Sequence, residues 1–379
     1  MFGIDFGTTY SSIAMVRGQN IAILEDQEKI TMFPSTVCFT EEGETLVGWP
    51  AREKDVLNPA STFRSPKRLI GRRYDDRNIE ALLASSPLRT SAGPRGEVVA
   101  DLFGETVSIP QVCSRIIRYV ADIGSAAGVP VERVVLSSPV AFEAEKQAIQ
   151  QAAELAGLTV LGMVAEPVAA AMAYGLGKHD QTVVVYDFGG GTFDFTSIRI
   201  RKGRFEVKGV SGDPWLGGDD FDTVLANHAA DTFWRRTKVD LRQRQVEWQR
   251  LLFYCEAAKR RLSSQTEVRL SAPAMLMSLK GPIALEMTLD RPLCEGLWGE
   301  LVDRSLDAVA QCLEEAGVSP SEVDTVVMTG GVARIPLVQR RLHEHFDQQI
   351  ELKVNPEHAM VMGNAIGGRF VALSGRLPV

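Results

Sequence analysis

The residues best suited to chemistry in this chain stand in one stretch, T-V-V-V-Y-D-F-G-G-G-T-F-D, running from Thr182 to Asp194. A short apolar run bounded by turn residues fits a fully buried strand. Glycines without side chains let a backbone approach phosphate oxygens and aim several N–H groups at them. A carboxylate at the strand end, Asp187, could hold a magnesium ion directly or through its waters. The chemistry suggested is the handling of a nucleoside triphosphate. A core strand with an ordinary tight turn is the competing account of the stretch taken alone.

An internal repeat separates the two accounts. From Phe2 the chain reads F-G-I-D-F-G-T-T-Y-S-S-I-A-M-V-R-G-Q-N-I-A-I-L, in which Asp5, Phe6, Gly7 and Thr8 lead into an apolar strand, a turn at Arg17-Gly18 and another strand. After Asp187 and its glycines the same order returns, with F-D-F-T-S-I-R-I, a turn at Lys202-Gly203 and R-F-E-V-K-G-V. Two copies of one unit, far apart in the chain, predict a duplicated fold whose acidic turns face each other across a cleft. A third buried strand running into a glycine pair lies in T-V-V-M-T-G-G-V-A-R-I-P, from Thr325 to Pro336.

The elements that must position these turns follow in chain order. F-P-S-T-V-C-F-T, introduced by Pro34, reads as a third strand of the first hairpin. Residues from about 50 to 110 are richer in Arg, Pro, Ser and Gly and read as an insertion that carries Lys67. Helical spacing of apolar residues runs from Val112 to Ala127, and V-E-R-V-V-L-S-S-P-V returns to a buried strand. Glu143 to Ala156 reads as a helix ended by Gly157, and a second, alanine-rich helix follows Pro167 and stops at Gly175. Glu166 is expected just before that helix, at an N-terminus that favours anions and their metal counterions. Gly217-Gly218 open a helix near Asp219. A long charged helix between about Asp240 and Ser264 places Glu256, Lys259 and Ser263 on one face, where a solvated ion pair is the commoner outcome. Thr266 to Leu289 alternate in strand fashion. N-P-E-H-A-M-V-M-G-N-A-I-G-G-R-F-V-A-L closes the chain as a helix returning to the first lobe.

Size and charge narrow the class. With 379 residues, two lobes are expected, and 45% apolar residues suffice to fill their cores. A net charge of −7 argues against binding nucleic acid through its phosphates. Five cysteines, an odd number without a C-x-x-C pair, read as reduced core residues. No secretory leader pattern precedes the first strand, and no run approaches the roughly 20 apolar residues that span a bilayer. A cytoplasmic protein free of the membrane is expected. His343 and His345 lack a third metal ligand, and neither a G-x-S-x-G elbow nor an H-R-D kinase loop is present.

These motifs together resemble the nucleotide-binding domain of the Hsp70 chaperones, within the superfamily of actin, Hsp70 and the sugar kinases. The resemblance runs from Met1 to about Ser374. It rests on the three glycine motifs and on P-K-R-L-I-G-R-R-Y-D-D from Pro66, A-E-P-V-A-A-A-M-A-Y-G from Ala165, W-L-G-G-D-D-F-D from Trp215 and E-A-A-K-R-R-L-S-S from Glu256. It implies an α/β, duplicated, two-lobed actin-like ATPase fold with a ribonuclease H-like core in each lobe. Lobe I would span 1–181 with an insertion at about 41–110, and lobe II 182–360 with a helical and β insertion at about 223–300. A closing helix over 361–379 would return to lobe I.

The resemblance also implies ATP or ADP with magnesium, and potassium as a further cation. Asp5 and Asp187 would hold hydrated magnesium, with Glu166 and Asp194 orienting its waters. Backbone N–H groups of Gly7, Thr8, Thr9 and Tyr10, and of Gly189, Gly190, Gly191 and Thr192, would cradle the β- and γ-phosphates. Lys67 would offset γ-phosphate charge and orient the attacking water, although a lysine in a basic run is otherwise a surface residue. Gly217, Gly218, Asp219, Gly330 and Gly331 would meet ribose and adenine. Glu256, Lys259, Arg260, Ser263, Arg334 and Glu357 would hold the rest of the nucleoside. Expected partners are a co-chaperone or nucleotide-exchange protein and a client or effector protein.

Four departures qualify the resemblance. Met32 stands where the family has a threonine, with Thr31 one position off. Lys146 replaces the arginine that relays nucleotide state after the switch proline, Pro139, and this segment is one residue shorter. Lysine lacks the rigid fork of arginine, which weakens the expectation of signalling to a peptide-binding domain. Val332 and Ala333 replace small hydroxyl residues. The chain stops at Val379 without a leucine-rich linker or peptide-binding β-domain, so a free-standing ATPase and a fragment of a longer protein both stand. The alternatives are a domain that binds nucleotide without turnover and an actin-like scaffold.

Overall fold

The structure, a computed structural model, describes residues 1–55, 58–140, 143–347, 350, 352–375 and 377. Ala141 and Phe142, in the segment expected to be one residue short, lie outside the described residues, as does Val379. The chain divides into two compact units, one of Met1–Val185, Ile198–Val207 and Leu352–Val379, the other of Tyr186–Ser197 and Lys208–Glu351.

The first unit is built on a sheet ordered Thr159–Ala165, Arg133–Ser138, Phe2–Phe6, Tyr10–Arg17, Asn20–Ile23, with Phe33–Pro34 also pairing with Tyr10–Arg17. Phe2–Phe6 lies parallel to Arg133–Ser138 and antiparallel to Tyr10–Arg17, a central position that buries Phe2, Ile4 and Phe6. Helix Ile109–Ala126 packs on this sheet through Val112, Ile116, Ile117 and Val120. Its start is set by Ser108 and Gln111, whose side chains bond each other's backbone N–H in a capping box, with Pro110 in the first turn. Helix Glu143–Leu155 gives way to left-handed Gly157, as its sequence predicts.

The closing helix, Ala359–Ser374, packs against Phe2–Phe6 and the helix Glu166–Ala173. Small residues make this approach close. A Cβ at Gly363 would run into the Ala169 carbonyl, and Asn364 Nδ2 donates to the Ile4 carbonyl at 2.8 Å and to Ser137 Oγ at 2.9 Å.

The strand expected over F-P-S-T-V-C-F-T divides between two sheets. Phe33–Pro34 stays with Tyr10–Arg17, whereas Thr36–Phe39 joins Thr45–Val47 and Thr62–Arg64. Proline has no N–H for a ladder, and Ser35 spends its own N–H on the Thr9 carbonyl at 2.8 Å. The expected insertion also holds the helix Trp49–Asp55 and a sheet ordered Glu105–Ser108, Val98–Leu102, Thr90–Ala92.

A second sheet orders Arg204–Asp213, Phe193–Arg201, Gln181–Phe188, Thr325–Thr329. Aromatic rings fill the core beneath its glycine turn, with Tyr186 and Phe193 at 4.7 Å and Phe188 and Phe193 at 4.9 Å between ring centroids. Helices Gly218–Thr237, Gln245–Leu262 and Arg291–Ala316 and the hairpin Glu267–Ser278 with Gly281–Asp290 lie in the second unit. The charged helix expected from about Asp240 starts later, because the Asp240 carboxylate accepts from the Arg242 N–H and caps a short turn, Leu241–Gln243, first.

Candidate nucleotide site

Asp5 is the last residue but one of its strand, opposite Ser12, and the strand runs into a turn that only a glycine can make, since a Cβ at Gly7 would run into the Tyr10 carbonyl oxygen. Ser35 braces this turn by donating from Oγ to the Gly7 carbonyl at 2.7 Å. Thr9 Oγ1 is buried there without a hydrogen-bond partner, a donor and acceptor that burial makes costly until something binds it.

Lys67 enters the same region from the short turn Pro66–Arg68. Ser65, left-handed at φ 50°, reverses the chain and bonds its N–H to the Ser35 carbonyl at 3.1 Å. The lysine is no surface residue. Only 8% of its side chain is exposed, its Nζ donates to Glu166 Oε1 at 2.7 Å, and it lies 5.9 Å from the Phe6 ring centroid. Glu166 is the first residue of its helix rather than the residue before it, where the helix dipole supports a negative charge. Burial works against the Lys67 ammonium, yet Glu166, Glu145 and Asp5 outweigh it and hold the group above the usual lysine range. Burial pushes the Asp5 carboxyl up to about 7, against the pull of Lys67 and with reinforcement from Glu166.

In the second unit three glycine motifs knit together through backbone alone. Gly189 N–H donates to the Thr192 carbonyl at 3.0 Å, Gly218 N–H to the Gly189 carbonyl at 3.0 Å and Asp219 N–H to the Gly190 carbonyl at 2.8 Å. A Cβ at Gly217 would lie 2.5 Å from Gly191 N, and one at left-handed Gly330 would strike the Phe188 carbonyl. Of the residues expected beside these turns, Asp187 and Thr192 are half-buried, Asp194 is exposed, and Gly331, Arg260 and Arg334 are exposed.

Lys259 is placed differently from the solvated face that spacing alone favours. Its Nζ donates to the Gly218 carbonyl at 2.6 Å and to Asp222 Oδ2 at 2.7 Å, with both side chains buried. Glu256 and Ser263, on the same face of this helix, are half-buried. Asp222 had no role assigned from sequence, although W-L-G-G-D-D-F-D contains it. Its signal was position: four residues after Gly218 it falls on the buried face with Phe221 and Leu225. Burial pushes the Asp222 carboxyl up, and the Lys259 ammonium opposes the shift. Glu357, in the first unit, is half-buried beside His358, whose Nε2 lies 3.1 Å from Thr31 Oγ1.

The first unit thus gathers Asp5, Lys67, Glu166 and the turn Gly7–Tyr10, and the second gathers Gly189–Thr192, Gly217–Asp219, Lys259 and Gly330. Among the described residues, no three His, Cys, Asp or Glu side chains converge to cage a metal ion. In the first unit the Asp5 carboxyl and the unpartnered Thr9 hydroxyl, and in the second the Asp187 carboxylate, are oxygen groups of the kind that a hydrated magnesium ion takes.

The mixed α/β architecture, with its repeated strand and glycine-turn units, is that of the two-lobed actin-like ATPase fold. The chain belongs to the Hsp70 family, whose model, described as Hsp70 protein, matches residues 1–377. ATP binding and chaperone-type work are general properties of that family. No helix among the described residues is long and apolar enough to cross a membrane.

Proposed function

We propose that this chain binds ATP with magnesium and hydrolyses it to ADP and phosphate. The observation that carries the reading is Lys67, buried and held at 2.7 Å from Glu166 with the buried Asp5 carboxyl close enough to feel its charge, in a region where Thr9 Oγ1 has no hydrogen-bond partner. Phosphoryl transfer asks the protein for position and charge neutralisation more than covalent chemistry. Lys67 would offset charge growing on the γ-phosphate and orient the attacking water. Gly7–Tyr10 and Gly189–Thr192 would hold the phosphates by N–H groups. Asp5 and Asp187 would hold magnesium through water, with Glu166 and Asp194 orienting that shell; the ion would neutralise the phosphate oxygens.

Gly217–Asp219, Gly330, Gly331 and Arg334 would receive ribose and base. Lys259 would act there by fixing the Gly218 carbonyl through its bond at 2.6 Å, with Glu256, Arg260, Ser263 and Glu357 completing the nucleoside site. The proposed output is opening and closing of two lobes, 1–181 and 182–360 with the closing helix 361–379, coupled to a client in the cytoplasm and timed by a co-chaperone or nucleotide-exchange protein. Lys146 is poorly placed as a relay, being 44% exposed and 3.9 Å from Glu143.

The test is phosphate release from limiting labelled ATP by excess protein and magnesium, without an acceptor. Slow release of one phosphate per ATP supports the reading. ATP that binds and stays intact contradicts it.

A further inference from the structure

The Lys259 ammonium occupies a place that helix electrostatics oppose. It is bonded to the first turn of Gly218–Thr237, the end of a helix where the backbone favours negative charge. A Cβ on Gly218 would lie 2.8 Å from Lys259 Nζ, 3.3 Å from Val332 Cγ2 and 3.4 Å from Gly190 Cα. The ammonium is therefore seated where the segments of Gly190, Gly218 and Val332 meet.

Asp222 holds it there. One turn along the same helix, this side chain leans back toward the helix start, beside the Gly218 carbonyl. Lys259 Nζ donates to that carbonyl at 2.6 Å and to Asp222 Oδ2 at 2.7 Å, whereas the buried Asp222 Oδ1 has no hydrogen-bond partner. For stability alone, apolar side chains of similar volume often serve as well as a buried ion pair. A carboxylate with one buried oxygen unsatisfied is a costly way to fill a core. The charges therefore point to a task. Two bonds use two of the three donors of an ammonium, and the third is left beside Gly217–Asp219, the turn proposed to receive ribose and base.

We propose that Asp222 is a positioning residue for the nucleoside: with the Gly218 carbonyl it fixes two donors of the Lys259 ammonium so that the third meets a ribose hydroxyl, and the site thereby selects ribose over deoxyribose. This rests on the nucleotide-binding reading of the second unit.

Calorimetric affinities for ADP and for its two analogues that each lack one ribose hydroxyl, measured with magnesium on wild type and Asp222→Asn in the full chain, test it. Wild type is expected to bind ADP about 10-fold more tightly than at least one analogue, the scale of one hydrogen bond to a charged group. Asp222→Asn keeps the shape without the charge and should lose most of that preference. A variant that weakens all three nucleotides equally has only a structural effect and overturns the proposal. An unchanged preference in Asp222→Asn overturns it too, as does a wild type that binds ADP and both analogues alike. A wild type that binds none of them overturns the nucleotide reading, and the role of Asp222 falls with it. Should Asp222→Asn fail to fold, the double variant Lys259→Met with Asp222→Leu decides: loss of the ribose preference supports the proposal, and a preference at the wild-type value overturns it.

Discussion

The Lys259 ammonium shows how a single residue can be legible in type and illegible in task. Its spacing with Glu256 and Ser263 puts it on a helix face, but periodicity cannot say which side chain of another helix will meet that face. The meeting is with Asp222, and the pair is nearly sealed from water, at 11% and 7% exposure. Breaking a buried pair leaves one charge uncompensated, so Lys259→Met should cost about 3–5 kcal/mol of unfolding free energy. Adding Asp222→Leu should return much of that loss, because the stranded carboxylate is removed. Urea unfolding of the single and double variants measures both steps. A single variant as stable as wild type would mean that the pair is not buried in solution. Lys67 was likewise readable only through the motif around it, since its place in a basic run points to the surface and its 8% exposure does not.

At the level of elements, the strands ending in Asp5 and Asp187, the glycine-ended helices and the late hairpin were legible because each declares itself by apolar period and turn residues. The break at Ser35 was not. It depends on where the Thr9 carbonyl comes to lie, a contact 26 residues away in sequence that no local pattern announces. The closing helix depends on a similar contact. Gly363→Ala would push a methyl into the Ala169 backbone, an overpacking that should cost about 1–3 kcal/mol in urea unfolding. Stability equal to wild type would show that the two helices stand further apart.

Acid sensitivity belongs to the helix Pro336–Phe346. His345 sits in its last turn with Nε2 buried and unpartnered, and burial depresses its pKa below the usual 6.5. A helix C-terminus favours a positive charge, but here loss of hydration wins. Below that pH the unfolded chain takes up a proton that the folded chain refuses, so stability should fall as pH drops through 6.5 toward the folded value. His345→Leu should flatten that part of a stability profile measured from about pH 7.5 to about pH 5.5, about one unit either side of 6.5. An unaltered slope would assign the acid loss to other groups.

Across the whole molecule, a member of a family that binds ATP should gain stability from bound nucleotide. At a free ADP concentration about 100 times its Kd, the gain is about 2.7 kcal/mol, read as a rise in Tm that a chelator of magnesium reduces. The absence of any rise would argue against nucleotide binding altogether. The duplication, the motifs and the family membership all point to one chemistry, and Lys67 is where they converge. The most direct measurement is single-turnover phosphate release by wild type and Lys67→Ala, with ATP binding followed in the same samples. Release by wild type, with a variant that still binds ATP but turns over about 10²-fold more slowly, is the predicted result, since one lost charge-stabilising group is worth that much. Equal rates in the two proteins would contradict the account.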